Sequence, residues 1–209
     1  MSEHSTTFRS GDLTLEGILH LPQGAVAGGG VICHPHPLYG GSMYNNVVDA
    51  VVAAMTQRNW AALRFNFRGV GGSEGEHSGG IGEAGDAAAA VAWLAEQTRL
   101  SREKIVLAGY SFGAMATVNA APQVADLAAL LLVALPLRMA ALDVLMEFKH
   151  PILLAAGDAD SYCPADDLKA LAQKIGSRAE VRIIEGADHF FGGREDRLTA
   201  AISELTAMI

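Results

Sequence analysis

Short apolar runs alternate with stretches of helical periodicity along most of this chain. Near its beginning, Phe8-Arg9-Ser10 and residues 13–20 flank the turn Gly11-Asp12, and this pattern predicts a hairpin. Between Val47 and Met55, apolar residues recur at helical spacing, which predicts a helix over about 44–59. The predicted strands cover 8–10, 13–20, 31–34, 61–67, 105–108, 128–134, 152–156 and 181–184. The other predicted helices cover 83–100, a stretch over 114–118, 137–149, 165–175 and 194–209.

The predicted elements alternate between strand and helix from the third strand onward. Such alternation is typical of βαβ units, so we expect an α/β fold with an eight-stranded, mostly parallel sheet and helices on both of its faces. The chain has 209 residues and contains no internal repeat or long linker, which predicts one domain over 1–209.

One pentapeptide carries the strongest chemical signal. Gly109-Tyr110-Ser111-Phe112-Gly113 follows the apolar run 105–108 and precedes the helix-like stretch 114–118. A strand, a G-x-S-x-G turn and a helix in this order predict a nucleophile elbow, which exposes the serine oxygen above the sheet. The glycines leave out Cβ atoms that would clash in so sharp a turn. The sequence therefore predicts that Ser111 attacks a carbonyl and that the protein is a hydrolase.

A serine hydroxyl also needs a base to take its proton and an acid to orient that base. Two later strands are followed by suitable residues: Asp158 and Asp160 come after 152–156, and Asp188 and His189 come after 181–184. The order serine, aspartate, histidine is the one expected for this architecture. A G-x-S-x-G turn also occurs in proteins without catalysis, but the presence of both partners after the correct strands favours the catalytic interpretation.

The composition excludes several classes of partner. The formal net charge is −8 and no Lys/Arg cluster is present, which argues against nucleic-acid binding. The longest apolar run, 127–137, is too short to span a bilayer, and residues 1–7 lack the features of a signal peptide, so no membrane association is expected. Cys33 and Cys163 fit a reducing compartment better than a disulfide framework. We therefore expect a cytoplasmic protein.

Together these motifs resemble the α/β-hydrolase superfamily over nearly the whole chain. The similarity is greatest to small bacterial serine hydrolases that carry a His-Pro-His-Pro segment and are distantly related to dienelactone hydrolases. It implies Ser111 as nucleophile, His189 as general base and, within the Gly-x-x-Asp pattern, Asp160 rather than Asp158 as the acid. The segments that carry the resemblance are 34–42, 64–75, 109–113, 157–164 and 188–190.

The negative oxygen of a tetrahedral intermediate needs two hydrogen-bond donors. One should be the backbone amide of Phe112, which follows the nucleophile at the amino end of a helix. The second should come from the loop after the third strand, where Pro35 and Pro37 have no N–H to donate. The amides of His36, Leu38 and Tyr39 remain, and Leu38 is the favoured donor.

Two other interpretations, a metal site and a phosphate-binding loop, have weaker support from the sequence. His34 and His36 could be metal ligands because residues i and i+2 of a strand face the same way, but no third ligand follows at a familiar spacing. Residues 69–75 look like a phosphate-binding loop, yet no Gly-Lys-Ser/Thr follows them. We expect no metal site and no phosphate site.

The resemblance implies a serine esterase that acts on a small-molecule ester without a cofactor. Larger relatives often carry a lid after the sixth strand, but only 135–150 lie before the seventh here, so we expect a minimal lid, an open cleft and a preference for short-chain esters. The expected substrate-binding residues are His36, Tyr39, Leu135 and Met139. A thioesterase and a catalytically silent binding protein are the alternatives. A homodimer is expected if the apolar segment 135–146 is exposed.

Overall fold

A single eight-stranded sheet forms the centre of the molecule in the computed structural model, which describes residues 1–124 and 126–209. The strand order is β1-β2-β4-β3-β5-β6-β7-β8. Only β2 runs against the others, since it pairs antiparallel with both β1 and β4. The strands are β1 Ser2–Ser10, β2 Leu13–Leu21, β3 Gly29–Cys33, β4 Ala61–Phe65, β5 Ile105–Tyr110, β6 Ala129–Val133, β7 Ile152–Gly157 and β8 Ala179–Ile184. The expected mostly parallel sheet is therefore confirmed.

Helices cover both faces of this sheet, as its near-continuous apolar strands require. Helices α1 and α6 pack on one face, and the remaining helices pack on the other. Along β5, Val106 and Ala108 face the first layer, whereas Ile105 and Leu107 face the second. The helices are α1 Asn46–Thr56, α2 Ile81–Thr98, α3 Phe112–Ala120, α4 Leu142–Glu147, α5 Ala165–Ile175 and α6 Glu195–Thr206.

The connections reverse direction at β3, and this reversal determines where a site can form. From β3 the chain moves to β4 on one side, and from β4 it crosses back over β3 to β5 on the other. Because right-handed crossovers are almost universal, the two helices in these connections lie on opposite faces. In an open α/β sheet, ligands usually bind at such a reversal, which here lies at the carboxyl ends of β3 and β5. The predicted nucleophile follows β5 directly.

The segment between β6 and β7 is less helical than expected. The prediction of a helix over 137–149 is wrong at both ends, because α4 covers only Leu142–Glu147. After Pro136 the chain instead makes a turn in which Met139 N and Ala140 N both donate to the Pro136 carbonyl, at 3.0 and 3.1 Å. One short helix and this turn are all that separate the two strands, which agrees with the minimal lid expected from the sequence.

Both cysteines are free and buried. None of the helices in the described part of the chain is long and apolar enough to cross a membrane.

Candidate active site

The turn at Ser111 joins β5 to α3 through a backbone conformation that is rare for any residue except glycine. Ser111 has φ 54° and ψ −118°, and it is the residue immediately before the first residue of α3. Its amide donates to the carbonyl of Val133 on the neighbouring strand at 2.9 Å, which ties the turn to the sheet. Such strain costs on the order of 1–3 kcal/mol and persists only where the surroundings hold it in place.

Two glycines allow this turn to form. A Cβ on Gly109 would lie 2.2 Å from the Gly113 carbonyl oxygen, and a Cβ on Gly113 would lie 2.2 Å from the Cys33 carbonyl oxygen. Both obstacles are backbone atoms, so a side-chain rotation would not relieve either clash. The start of α3 therefore lies directly against the end of β3, which places the amide of Phe112 beside the loop that follows β3.

The three side chains predicted from the sequence lie in one hydrogen-bonded chain. Ser111 Oγ is 2.9 Å from His189 Nε2, and His189 Nδ1 is 2.9 Å from Asp160 Oδ2. Asp160 and His189 are both buried, whereas Ser111 is partly open to solvent. This is the geometry in which a carboxylate orients an imidazole and the imidazole takes a proton from a hydroxyl.

Asp160 is held by its own loop as well as by His189. Its second oxygen accepts hydrogen bonds from the amides of Tyr162 and Cys163, at 2.8 and 2.9 Å. Burial alone would raise the pKa of Asp160, but the hydrogen bonds from His189 and these amides outweigh it and keep the pKa below its ordinary value. The other candidate acid, Asp158, is exposed and accepts from the amide of Gly186 at 2.8 Å.

Tyr110, the residue between Gly109 and Ser111, connects β5 to the loop after β8 that carries His189. Its hydroxyl donates to the backbone carbonyl of His189 at 2.8 Å in a buried position. Burial and the nearby charges of Asp160 and Asp188 raise the pKa of Tyr110, so this hydroxyl remains a donor at any physiological pH. The motif alone indicates no role for Tyr110, although the alternation along β5 puts its side chain on the face opposite Leu107.

The loop after β3 is the predicted source of the second oxyanion donor. Leu38 N donates to His36 Nδ1 at 3.2 Å, and Tyr39 N donates to the His36 carbonyl at 3.1 Å. The amides of Leu38 and Tyr39 are therefore already engaged within the loop. Among residues 1–124 and 126–209, no acceptor is found for the amide of His36 or for that of Phe112.

His34, at the start of the loop after β3, connects that loop to the residues that follow β4. It is fully buried; its Nδ1 lies 2.6 Å from the Pro35 carbonyl, and its Nε2 accepts from the amide of Phe67 at 3.1 Å. Burial lowers the pKa of His34 to about 4, which keeps the ring neutral. Because the protein itself engages both ring nitrogens, His34 is not available as a metal ligand. No cluster of three or more metal-ligating side chains occurs in the described ranges.

A second layer of polar side chains supports the site from the α2 side. Glu83 is buried and accepts hydrogen bonds from Ser78 and from the amide of Gly80, while His77 Nδ1 lies 2.7 Å from its Oε1. The rings of His77 and His36 are 5.1 Å apart, and each also lies within 5.4 Å of the Phe112 ring. Burial, and then the proximity of His77, lower the pKa of His36.

The side chains that the sequence predicts to bind substrate differ in how exposed they are. Tyr39 and Met139, two predicted substrate-binding residues, are largely exposed. Leu135, a third, has no exposed surface, so it supports the site from the core rather than lining it. Phe190 and Phe191, which follow His189, differ in exposure. The structure buries only Phe191 and leaves Phe190 63% exposed.

The chain is similar to several known proteins. The model of the Dienelactone hydrolase family matches residues 76–207. The uncharacterized protein RP471 of Rickettsia prowazekii is 34% identical over 83% of this chain and 76% of its own. An alpha-beta serine hydrolase homologue from Coxiella burnetii is 34% identical, with a TM-score of 0.89 over 98% of this chain and 97% of its own. A serine hydrolase without a lid from Xanthomonas campestris is 27% identical, with a TM-score of 0.86 over 99% and 94%.

We predict that Tyr110→Phe lowers the free energy of unfolding by about 1–3 kcal/mol, because the buried carbonyl of His189 loses its donor while the ring is retained. Urea denaturation measures this change. Tyr44→Phe, at a largely exposed tyrosine, is the matched control and should change the stability by less than about 0.5 kcal/mol. Equal stability of the two variants would show that the Tyr110 hydrogen bond does not hold the loop that carries His189.

Proposed function

Since this chain belongs to the dienelactone hydrolase family and has the α/β-hydrolase fold, we propose that it cleaves carboxylic esters through an acyl-enzyme on Ser111. The observation that carries this proposal is the unbroken chain of two 2.9 Å contacts from Ser111 through His189 to Asp160. A serine hydroxyl is a weak nucleophile by itself, and a base within hydrogen-bond distance is what activates it.

In the first half of the reaction, Ser111 Oγ attacks the ester carbonyl while its proton moves to His189 Nε2. The carbonyl oxygen becomes negative in the tetrahedral intermediate, and Asp160 stabilises the imidazolium that forms. When the intermediate collapses, the C–O bond to the alcohol breaks and His189 returns the proton to the departing oxygen. The alcohol leaves, and the acyl group stays on Ser111.

In the second half, water takes the place of the alcohol. His189 removes a proton from a water molecule, the water oxygen attacks the acyl carbonyl, and the bond to Ser111 Oγ breaks as His189 returns the proton to it. The carboxylic acid is released and the enzyme regains its starting state. The same residues serve both halves, so the chemistry requires no cofactor.

The oxyanion is stabilised, in this proposal, by the amides of Phe112 and His36. Phe112 begins α3, where unpaired N–H groups and the helix dipole favour a negative oxygen. His36 replaces Leu38, the donor favoured from the sequence, because Leu38 N–H is already bound to the His36 side chain. The ring of His36 lies 4.8 Å from that of Phe112, which supports a position of both residues beside the same substrate oxygen.

We predict that the wild-type protein hydrolyses p-nitrophenyl acetate and butyrate faster than long-chain p-nitrophenyl esters, because the short segment between β6 and β7 provides little structure to enclose a long acyl chain. A fluorophosphonate probe should label Ser111, and Ser111→Ala should abolish the labelling and lower kcat by at least about 10⁴-fold. The assays are chromogenic hydrolysis and peptide mass spectrometry of the labelled protein.

The melting temperature of Ser111→Ala is the control, since it should stay close to that of the wild type if the loss is chemical. An unlabelled Ser111 in a folded wild-type protein would refute the acyl-enzyme and favour a silent binding protein. Faster turnover of long-chain esters would refute the preference for short ones. Parallel thioester substrates decide between an esterase and a thioesterase.

A pair of substitutions at one position tests the second oxyanion donor. His36 has φ −58°, which proline also adopts, so His36→Pro removes the N–H with little change of the backbone. His36→Ala removes the same imidazole but keeps the N–H. We predict that kcat of the proline variant falls about 10²- to 10³-fold below that of the alanine variant, the usual effect of losing one oxyanion donor.

Circular dichroism and melting temperatures of the two variants should be compared first, so that a fall in kcat is read only from folded protein. Equal kcat values in the two folded variants would exclude the His36 amide as the donor.

A further inference from the structure

Two aromatic side chains stand exposed beside the catalytic histidine, and the proposed reaction does not use them. Tyr162 lies in the loop after β7 and Phe190 in the loop after β8, and the two residues are 56% and 63% exposed. The Tyr162 ring centroid is 4.7 Å from that of His189, and the Phe190 ring centroid is 5.5 Å from it. Most of each ring therefore remains open to a ligand while one part rests on His189.

The backbone that carries both rings is held by hydrogen bonds before a substrate arrives. The Tyr162 amide donates to Asp160 Oδ1 at 2.8 Å, and its carbonyl accepts from Leu137 N at 3.3 Å. The Phe190 amide donates to Asp188 Oδ1 at 2.9 Å, and its carbonyl accepts from Asn46 Nδ2 at 3.1 Å. A binding surface that is held in advance loses less conformational entropy when it takes up a ligand.

The direction of proton transfer determines which part of an ester meets these rings. If the proposed acyl-enzyme mechanism holds, His189 Nε2 returns the proton to the departing alcohol oxygen, so that oxygen must lie within hydrogen-bond distance of His189. The alcohol part of the ester then extends past His189 toward Tyr162 and Phe190. The acyl oxygen lies on the other side, toward the amides of His36 and Phe112.

From this arrangement we infer that Tyr162 and Phe190 select esters whose alcohol part carries an uncharged aromatic ring. A ring placed against two exposed aromatic faces gains attraction beyond that of an aliphatic group of equal area, about two- to tenfold in binding for each aromatic pair. The carboxylates of Asp158 and Asp188 are exposed in the same two loops, and they disfavour an alcohol that carries a negative charge. This selectivity rests on the proposed esterase function.

Benzyl acetate and cyclohexylmethyl acetate test the inference, because they share the acyl group and differ in whether the six-membered ring of the alcohol is aromatic. The readout is the ratio of their kcat/KM values, which covers the steps up to release of the alcohol. In the wild type we expect benzyl acetate to be favoured at least about fourfold, the product of two contacts worth at least about twofold each. Tyr162→Leu and Phe190→Leu should each reduce the ratio, and the double variant should bring it close to one.

Tyr44→Leu is the matched control, since Tyr44 is also exposed but lies against Arg64, and it should leave the ratio as in the wild type. A wild-type ratio near one, or a ratio that survives in the double variant, would overturn the inference. So would an equal loss for both acetates, because the rings would then only position His189. If the folded wild type hydrolyses neither these acetates nor p-nitrophenyl acetate, the proposed function itself fails, and that result is distinguishable from a ratio of one.

Discussion

The hydrogen bond between Asp160 Oδ2 and His189 Nδ1 is the interaction on which the site depends. An imidazole has two nitrogens, and the one that carries the proton decides which one can act as a base. Because Asp160 accepts the proton on Nδ1, the lone pair of Nε2 points to Ser111, 2.9 Å away. Asp160 keeps its charge in spite of its burial, since two backbone amides and His189 stabilise the ionised form.

The rest of the fold holds Asp160, His189 and Ser111 close to one another. The loop after β7, which carries Asp160, is bonded to the loop after β8, which carries His189, because Ala159 N donates to the Ala187 carbonyl at 3.0 Å. Gly157 allows this close approach, since a Cβ there would clash with the Ala187 carbonyl. Tyr110 connects the loop after β8 to the strand that carries the serine. The start of α3 meets the end of β3 at Gly113. Ser111, Asp160 and His189 are thus held by contacts between neighbouring strand ends, which explains how a site without a large lid can still be ordered.

Much of this could be predicted from the sequence, because the signals were local and repeated. Alternating apolar runs indicated the sheet, and the residues that follow β5, β7 and β8 indicated Ser111, His189 and two candidate acids, of which the family resemblance implied Asp160. The sequence could not show features that depend on contacts between distant segments, or which amide of a loop is free to donate. Leu38 was favoured as a donor because the pattern did not show that the His36 side chain accepts from its amide. Leu135 was expected in the cleft, but its position directly after β6 puts it in the core.

Asparagine variants of the two aspartates in the loop after β7 test the central claim most directly, because Asp160 bonds to His189 whereas the exposed Asp158 bonds to the amide of Gly186. Asp160→Asn preserves the shape of the side chain but should leave His189 with the wrong nitrogen protonated, so we predict that kcat for p-nitrophenyl acetate falls by about 10⁴-fold with little loss of stability. Asp158→Asn should stay within a few-fold of the wild type, since its amide oxygen still accepts from Gly186. Full activity in Asp160→Asn, or a collapse of activity in Asp158→Asn alone, would contradict the account.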